Sequence, residues 1–388
     1  MEPDPGGLDK MGCGASSSSS GASSAQAGFQ PQTQNQAAGG QTKGKHVTNT
    51  DVDVGRLGPI QVARQPFAPP GSPAIYHGTV LPLLNFDPTK SAERIKAAIE
   101  GAGTNDDQLI QEIAIVTNVQ RQAIKNAYQQ RYGKDLINDV KGDISGDYEE
   151  VILHLLEPSA EYDSWLINEC ISGPGTDEDV LLEILCFRTK EELAELRRVY
   201  QQKYGRTLEE DIKGDTTGDF EKLLLTLLQG NRDLPHIVVE AFARSDAKLM
   251  YEEGEGRLGT DDDRFIDIFT TRSWDQLAAA TFMYEKMYGK KIEDMLESEF
   301  SFDMLAALKK LVVFARDRAA YFAERLYSAM KGLGTDDDYL QRIVITRCEV
   351  DLLEIKEAFR QKYGLPLSKM IRDDTSYNYK EVLLALVN

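Results

Sequence analysis

A tetrapeptide repeated along the chain constrains its fold more than any other feature of the sequence. Gly-x-Gly-Thr ends at Thr104, Thr176 and Thr335, and the variant Arg-Leu-Gly-Thr ends at Thr260. The intervals between successive threonines are 72, 84 and 75 residues. A period of this length is typical of stacked copies of one supersecondary unit. We therefore predict four structural repeats, with a linker near 230–235, where the interval is longest.

Two further landmarks keep a constant register with these threonines. A Tyr-Gly pair follows each of them, and its tyrosine lies 28 residues after the threonine in every copy. An acidic residue lies 39 residues after each threonine; the four are Asp143, Asp215, Glu299 and Asp374. A single acidic residue at such a place is usually a helix cap or a solvated charge. Four in one register indicate a shared role, so these acids are candidate functional residues.

The sequence within each repeat predicts helices. Acidic residues follow each of the four threonines, which predicts an N-cap threonine with acids in the first helical turn. Val180, Leu181 and Ile184 then fall on one face of a helix. Each Tyr-Gly pair is expected to end a later helix, because glycine readily takes the left-handed conformation. No alternating strand pattern is present, so the predicted fold class is all-α.

Composition separates a tail from the repeats. Residues 1–76 are rich in Gly, Ser, Gln and Pro and contain few side chains that could bury apolar surface. We therefore expect this tail to be disordered. The predicted repeats cover residues 77–156, 157–230, 231–315 and 316–388.

The charge of the chain limits what it can bind directly. The net charge is -19, and residues 1–75 contribute none of it because their five acids balance five bases. Such an acidic body is repelled by nucleic acid and by anionic lipid. We expect no nucleic acid partner, and binding to an anionic surface would require a cation in between.

Several classes of protein are not expected from the sequence. No run approaches the roughly 20 apolar residues of a transmembrane helix. The first ten residues contain three acids and lack the apolar run of a secretory signal, so we expect a cytoplasmic protein. The four cysteines are scattered singly, which indicates reduced thiols. Neither they nor the four isolated histidines form a catalytic spacing pattern, so we do not expect an enzyme.

The glycine-containing loops suit a hard cation better than a phosphate. Glycine permits backbone conformations that can turn several carbonyl oxygens outward together. Calcium takes six to eight oxygen ligands and tolerates irregular geometry, so carbonyls plus one carboxylate would fill part of its shell. A phosphate at the helix N-terminus is the alternative, but no Gly-Lys-Ser/Thr follows and the acids in each loop would repel it.

These residues resemble the annexin family over positions 77–388. The resemblance lies in the repeated Gly-x-Gly-Thr with its later acid, and in the segments HGTV (77–80), FDP (86–88) and KGD (141–143 and 213–215). It implies four repeats of about five helices each, which together form a curved disc. It also implies that the calcium loops gather on the convex, membrane-facing side.

The resemblance implies one calcium site per repeat, made of loop carbonyls and a carboxylate. The third site is the least regular, since its loop reads Glu-Gly-Glu-Gly-Arg-Leu-Gly over 253–259. The implied ligands are Ile99, Gly101, Gly103 and Asp143 in the first repeat; Ile171, Gly173, Gly175 and Asp215 in the second; Gly254, Arg257, Gly259 and Glu299 in the third; and Met330, Gly332, Gly334 and Asp374 in the fourth.

The function implied by the resemblance is calcium-dependent binding to anionic phospholipid membranes such as phosphatidylserine surfaces. Lipid phosphate would complete each calcium shell, and Leu258 and Leu333 could enter the lipid interface. The alternative interpretation is a helical-repeat scaffold that recruits protein partners through its tail or its concave face.

The tail contains a conditional lipidation signal. Residues 11–16 read Met-Gly-Cys-Gly-Ala-Ser, which matches N-myristoylation of Gly12 with a neighbouring Cys13 for palmitoylation. Gly12 becomes N-terminal only if translation starts at Met11, so the hypothesis requires an alternative start. The other interpretation is a flexible tail without a lipid anchor.

Overall fold

The computed structural model describes residues 77–388, except 102, 174, 236 and 256–260. Over these residues the chain is all-helical, which confirms the predicted fold class. The predictions for the tail, including the lipidation signal at Gly12 and Cys13, lie outside the described residues. The helices are α1 (Pro88–Ile99), α2 (Asp106–Ile113), α3 (Asn118–Tyr132), α4 (Leu136–Lys141), α5 (Gly146–Leu156), α6 (Ser159–Ile171), α7 (Glu178–Phe187), α8 (Lys190–Tyr204), α9 (Leu208–Asp215), α10 (Gly218–Leu228), α11 (Glu240–Glu253), α12 (Asp262–Thr271), α13 (Trp274–Tyr288), α14 (Ile292–Glu299), α15 (Phe302–Ala329), α16 (Asp337–Arg347), α17 (Leu352–Tyr363), α18 (Leu367–Asp374) and α19 (Tyr377–Val387).

Each repeat contains five helical segments. The first repeat is α1–α5 and the second is α6–α10. The third and fourth repeats meet inside α15, where Asp317 has the non-helical angles φ -158° and ψ 83°. The Asp317 carboxylate accepts a hydrogen bond from the Ala320 amide at 2.9 Å, so a new helical segment begins there. One half of α15 therefore closes the third repeat, and the other half opens the fourth.

The predicted N-cap threonines are wrong by one residue. The N-cap of α2 is Asn105, and those of α7 and α16 are Asp177 and Asp336. Each of these side chains accepts a hydrogen bond from the amide three residues later, at 3.1 to 3.2 Å. Asn and Asp are at least as good as Thr in this role. The threonine hydroxyls are used elsewhere, as the site geometry shows.

The predicted helix ends at the Tyr-Gly pairs are confirmed. In every repeat the glycine is the C-cap in the left-handed conformation, with φ between 67° and 74°. A residue with a Cβ is strained at such angles, which explains the repeated glycine. The four C-cap residues are Gly133, Gly205, Gly289 and Gly364.

The buried apolar side chains form two cores, each shared by two repeats. One combines the first and fourth repeats, so that Ile124 and Phe359 belong to the same cluster. The other combines the second and third repeats, with Leu224 and Phe265 among its members. We call them the first–fourth core and the second–third core. The partly buried residues packed against both are Phe187, Tyr321, Tyr339 and Ile345.

A short segment before α1 ties the first repeat to the fourth. The Val80 amide donates to the Cys348 carbonyl at 2.9 Å, and the His77 carbonyl accepts from the Leu353 amide at 3.1 Å. A Cβ at Gly78 would lie 2.5 Å from the Cys348 carbonyl oxygen, so this close approach requires glycine.

Charged and hydroxyl side chains connect the two cores. Glu183 on α7 and Arg342 on α16 are both buried and form an ion pair. Tyr321 donates to Glu183 at 2.6 Å, and the Tyr339 hydroxyl lies 3.1 Å from Asp177. We call this group, with Asp179 and Arg325, the central seam. It joins the second repeat to the fourth through polar contacts, whereas the repeats within each core share buried apolar side chains.

Candidate functional site

The described residues of the three Gly-x-Gly-Thr loops show that these loops close in the same way. In each, the amide of the helix N-cap donates to a carbonyl seven residues earlier at the end of the preceding helix. The bonds are Asn105 to Ala98 at 2.8 Å, Asp177 to Cys170 at 3.1 Å and Asp336 to Ala329 at 2.8 Å. This shared hydrogen bond closes the base of each loop.

The glycines of these loops adopt backbone angles closed to other residues. The first glycine of each pair has φ of 123°, 137° or 132°, and the second has φ of 94°, 100° or 90°. A Cβ at any of them would meet nothing within 4 Å, so the requirement comes from the backbone angle and not from crowding. The pairs are Gly101 and Gly103, Gly173 and Gly175, and Gly332 and Gly334.

The carbonyls predicted as ligands are available in these loops. Apart from regular helical bonds, no described residue donates a hydrogen bond to any of the nine carbonyls predicted for the first, second and fourth repeats. Backbone carbonyls without a protein donor must be satisfied by water or a cation. The nine belong to Ile99, Gly101, Gly103, Ile171, Gly173, Gly175, Met330, Gly332 and Gly334.

The loop threonines bring the distant acids to the loops. Thr176 donates its hydroxyl to the Asp215 carboxylate. Thr335 donates to the Asp374 carboxylate at 2.7 Å. Both acids are the last residues of their helices, α9 and α18, and both are half-buried. The second and fourth repeats therefore place one carboxylate beside the loop carbonyls, and the role of these oxygens as calcium ligands stays a prediction.

The first repeat holds its acid differently. Helix α4 ends at Lys141, so Asp143 lies beyond the helix and is exposed. The Thr104 hydroxyl donates to the Asp143 backbone carbonyl at 3.1 Å and not to its carboxylate. Asp143 is therefore beside the loop, but its carboxylate is not oriented by the threonine.

The third repeat has a longer loop. The Asp261 amide donates to the Glu253 carbonyl, eight residues earlier, at 3.1 Å. A Cβ at Gly254 would lie 2.9 Å from the Met250 carbonyl and 3.4 Å from Phe265, so this glycine is required for packing. The predicted ligands Arg257 and Gly259 lie outside the described residues. The proposed set with Gly254 and Glu299 stays a prediction.

Acidic residues in the first turns of α12 and α16, directly after the loops, create an environment that favours a cation. Burial raises the pKa of Asp262, with a further increase from neighbouring Asp219. Burial likewise raises the pKa of Asp337, and Asp147 adds to it. Crowded carboxylates of this kind are relieved by a positive charge. Among the described residues, no three His, Cys, Asp or Glu side chains cluster as a metal centre, so a cation here would depend on carbonyls.

Sequence reasoning missed two exposed aromatic residues beside the acids. The residue three positions after each acid begins the last helix of its repeat with a positive φ. It is Gly146 or Gly218 in the first two repeats, but Phe302 or Tyr377 in the last two. The sequence does contain a signal for them, because each aromatic stands three residues after its register acid, where the first two repeats have a glycine.

Leu333, in the fourth loop, is fully exposed. Leu258 lies outside the described residues. No helix of the described ranges is both long and apolar enough to cross a membrane. Cys170, Cys186 and Cys348 are free thiols.

Comparison with known proteins agrees with this geometry. The family model described as Annexin matches four segments of the chain, residues 90–155, 162–227, 245–311 and 321–386. These segments contain the register acids, and each match begins within the first helix of its repeat.

Individual relatives are also similar. The chain is 46% identical to human annexin A7 over 313 residues, which are 81% of this chain and 64% of annexin A7. It thus spans less than two thirds of that relative. The solved structure of annexin III matches with a TM-score of 0.76 and 40% identity, over 81% of this chain and 97% of the other. A structure of calcium-bound annexin (Sm)1 matches with a TM-score of 0.74 and 32% identity, over 81% and 94%.

Proposed function

The chain belongs to the annexin family, and from that premise we propose that it binds anionic phospholipid membranes when calcium is present. Calcium would be held by loop carbonyls and one carboxylate in each repeat. The proposal includes a cytoplasmic protein that associates peripherally with membranes and acts in membrane organisation or trafficking.

The observation that carries this proposal is the combination found in the second and fourth repeats. Three carbonyls without a described protein donor lie in a loop that a threonine connects to a carboxylate. These oxygens supply about half of a calcium shell, and calcium prefers such neutral and anionic oxygens. The remaining positions would be filled by water or by the phosphate oxygens of a lipid.

The charge of the protein makes calcium a switch. The acidic chain is repelled by an anionic bilayer without calcium. Bound calcium would bridge the loop oxygens and the lipid phosphates, and by linkage lipid would raise calcium affinity by the same factor. Each site has a single carboxylate, so its own calcium affinity should be modest, and several sites would act together through avidity.

Co-sedimentation with phosphatidylserine vesicles over a calcium titration tests the proposal. We expect pelleting that rises with calcium and is reversed by a chelator, with little pelleting on phosphatidylcholine vesicles. A quadruple variant, D143N with D215N, E299Q and D374N, should lose this binding while its thermal unfolding is retained. Wild-type protein that stays in the supernatant at every calcium level would refute the function. Pelleting that is the same at every calcium concentration would refute the role of the loops as calcium sites.

A further inference from the structure

Phe302 and Tyr377 have an unusual combination of backbone and exposure. Their φ angles are 50° and 52°, in the left-handed region that favours glycine. Both side chains are 87% exposed. A bulky residue at such angles is strained, and here the side chain gains no compensating burial within the protein. The folded chain alone therefore gives no reason for an aromatic residue at either position.

The first two repeats show what this position requires structurally. Gly146 and Gly218 begin the equivalent helices with φ of 66° each. Each is preceded by an extended residue, Ser145 or Thr217, as Phe302 and Tyr377 are preceded by Ser301 and Ser376. The local backbone is thus the same in all four repeats. Glycine satisfies it, so the backbone of the last two repeats does not require an aromatic residue at this position.

Both aromatics lie at the candidate calcium sites. Phe302 follows Glu299 by three residues, and Tyr377 follows Asp374 by three. Tyr377 also lines one open pocket together with Thr104 and Asp143 of the first repeat. It therefore stands between the candidate sites of two repeats.

Exposed apolar surface continues from Phe302 along its helix. Phe302, Leu305, Ala306 and Val313 line one open, largely apolar depression. The fully exposed Leu333 belongs to the loop that Thr335 connects to Asp374, three residues before Tyr377. Apolar side chains thus accompany the candidate sites of the third and fourth repeats.

We propose that Phe302 and Tyr377 insert into the lipid interface when calcium docks the protein on a membrane. The inference rests on the proposed function and names the two side chains that enter the lipid interface. Aromatic side chains favour the boundary between headgroups and acyl chains, and calcium bridging brings that boundary within their reach. The third and fourth repeats enter the interface with aromatics that the first and second repeats lack.

Exchange for the glycine of the other repeats separates this role from a structural one. F302G and Y377G should each weaken calcium-dependent vesicle binding about fivefold, through loss of buried apolar area. Their thermal unfolding midpoints should be unchanged or higher, because glycine relieves the backbone strain. A lowered midpoint would assign the aromatics to the fold and overturn the proposal.

A matched control removes an exposed aromatic away from the sites. Phe242 is 61% exposed near the start of α11, while the candidate loop follows the other end of that helix. F242A should bind vesicles like the wild type. If wild-type protein binds with calcium but F302G and Y377G bind equally well, the insertion is refuted and the proposed function stands. If wild-type protein does not bind, the proposed function fails first.

Insertion is also measured directly. Phe302→Trp should show fluorescence quenched by lipids brominated on the acyl chain, in calcium and not in chelator, beyond the wild-type signal of Trp165 and Trp274. Absence of this added quenching on bound protein would overturn the proposal. Sedimentation without lipid gives a further check: calcium-dependent dimers lost in F302G and Y377G would assign these aromatics to a second copy instead.

Discussion

Equivalent positions of different repeats carry like residues at the calcium-loop ends, where the Gly-x-Gly-Thr loops meet the register acids, but residues of opposite charge at the central seam. At the loop ends, Asp215 and Asp374 occupy equivalent positions and make the same bond to a threonine. At the seam, Glu183 and Arg342 also occupy equivalent positions, each seven residues after its threonine, but they carry opposite charges and pair with each other.

The difference follows from what each copy faces. A loop end faces solvent or a ligand, so every repeat can keep the same residues for the same task. At the seam, equivalent elements of the second and fourth repeats face each other, and identical charges there would repel in a buried setting. Duplicated residues therefore diverge where the copies meet. Stability should depend on the seam, and calcium binding on the loop ends.

The largest expected effect tests the seam. R342A leaves the Glu183 carboxylate buried without its cation and should lower the free energy of unfolding by about 3–5 kcal/mol. The triple variant E183L with Y321F and R342M removes all three polar partners and should recover most of that loss. Urea denaturation measures both. Calcium-dependent vesicle binding below the unfolding transition should stay unchanged, and a shifted calcium midpoint would break the separation of seam from loop.

The next effect lies at another junction between the cores and depends on pH. The His154 ring on α5 packs at a tilt against the rings of Tyr162 and Trp165 on α6, with ring centroids 4.7 and 4.5 Å away. Burial lowers the pKa of His154 from 6.5 to about 4, against a smaller opposing effect of Gln341. The unfolded chain therefore binds a proton between these values that the folded chain does not. The contribution of neutral His154 to the free energy of unfolding is fully present above pH 6.5, the pKa of this histidine in the unfolded chain. It is lost as pH drops from 6.5 towards 4, by about 2 kcal/mol between pH 7 and pH 5.

H154F removes this proton uptake while keeping an aromatic ring in contact with Tyr162 and Trp165. We expect the unfolding free energy of the variant to fall less between pH 7 and pH 5 than that of the wild type, measured by urea denaturation at both values. The carboxylates titrate equally in the two proteins and cancel in the comparison. Parallel pH profiles would show that His154 does not set the acid sensitivity.

A smaller effect should appear at the loop ends. D215N should raise the calcium concentration for half-maximal vesicle binding about threefold to tenfold, because the site loses its formal charge while other sites still act. D143N should raise it less, since Asp143 is exposed and its carboxylate is not oriented by Thr104. Thermal unfolding should be nearly unchanged in both. A larger effect of D143N would reverse our ranking of the two sites.

The smallest effect concerns the threonines. T176V removes the hydroxyl that orients the Asp215 carboxylate and should raise the calcium midpoint about twofold, in keeping with a net hydrogen bond of about 1 kcal/mol or less. T104V removes a bond to a backbone carbonyl and should change the midpoint less. Equal shifts in the same vesicle titration would mean that the threonine acts on the loop and not on the carboxylate.

Sequence periodicity predicted the features that every repeat carries. The all-α fold and the helix ends at the Tyr-Gly pairs both follow from local patterns. The constant spacing singled out Asp215 and Asp374 as candidate functional residues, and their role as calcium ligands stays a prediction. The N-caps were misplaced because Thr176 and its neighbour Asp177 are both good caps, and only the structure shows which side chain is already engaged.

Features that depend on distant contacts were not predictable in the same way. Nothing in the register of Ile124 or Phe359 indicates that the first repeat shares a core with the fourth. The ion pair between Glu183 and Arg342 could not be predicted, because it depends on the contact between α7 and α16. The third loop resisted prediction because its spacing departs from the pattern, with Asp261 bonded eight residues back to Glu253.

The sharing of one core by the first and fourth repeats has a consequence for folding during synthesis. The His77 amide donates to Glu354, a partner 277 residues later in the chain. At typical translation rates of about 5–20 residues per second, the first repeat waits roughly 14–55 seconds before that partner exists. The second and third repeats can complete their core within this interval. Until the last repeat emerges, the apolar face that the first repeat later shares with it has no partner, and exposed apolar surface of this kind favours aggregation.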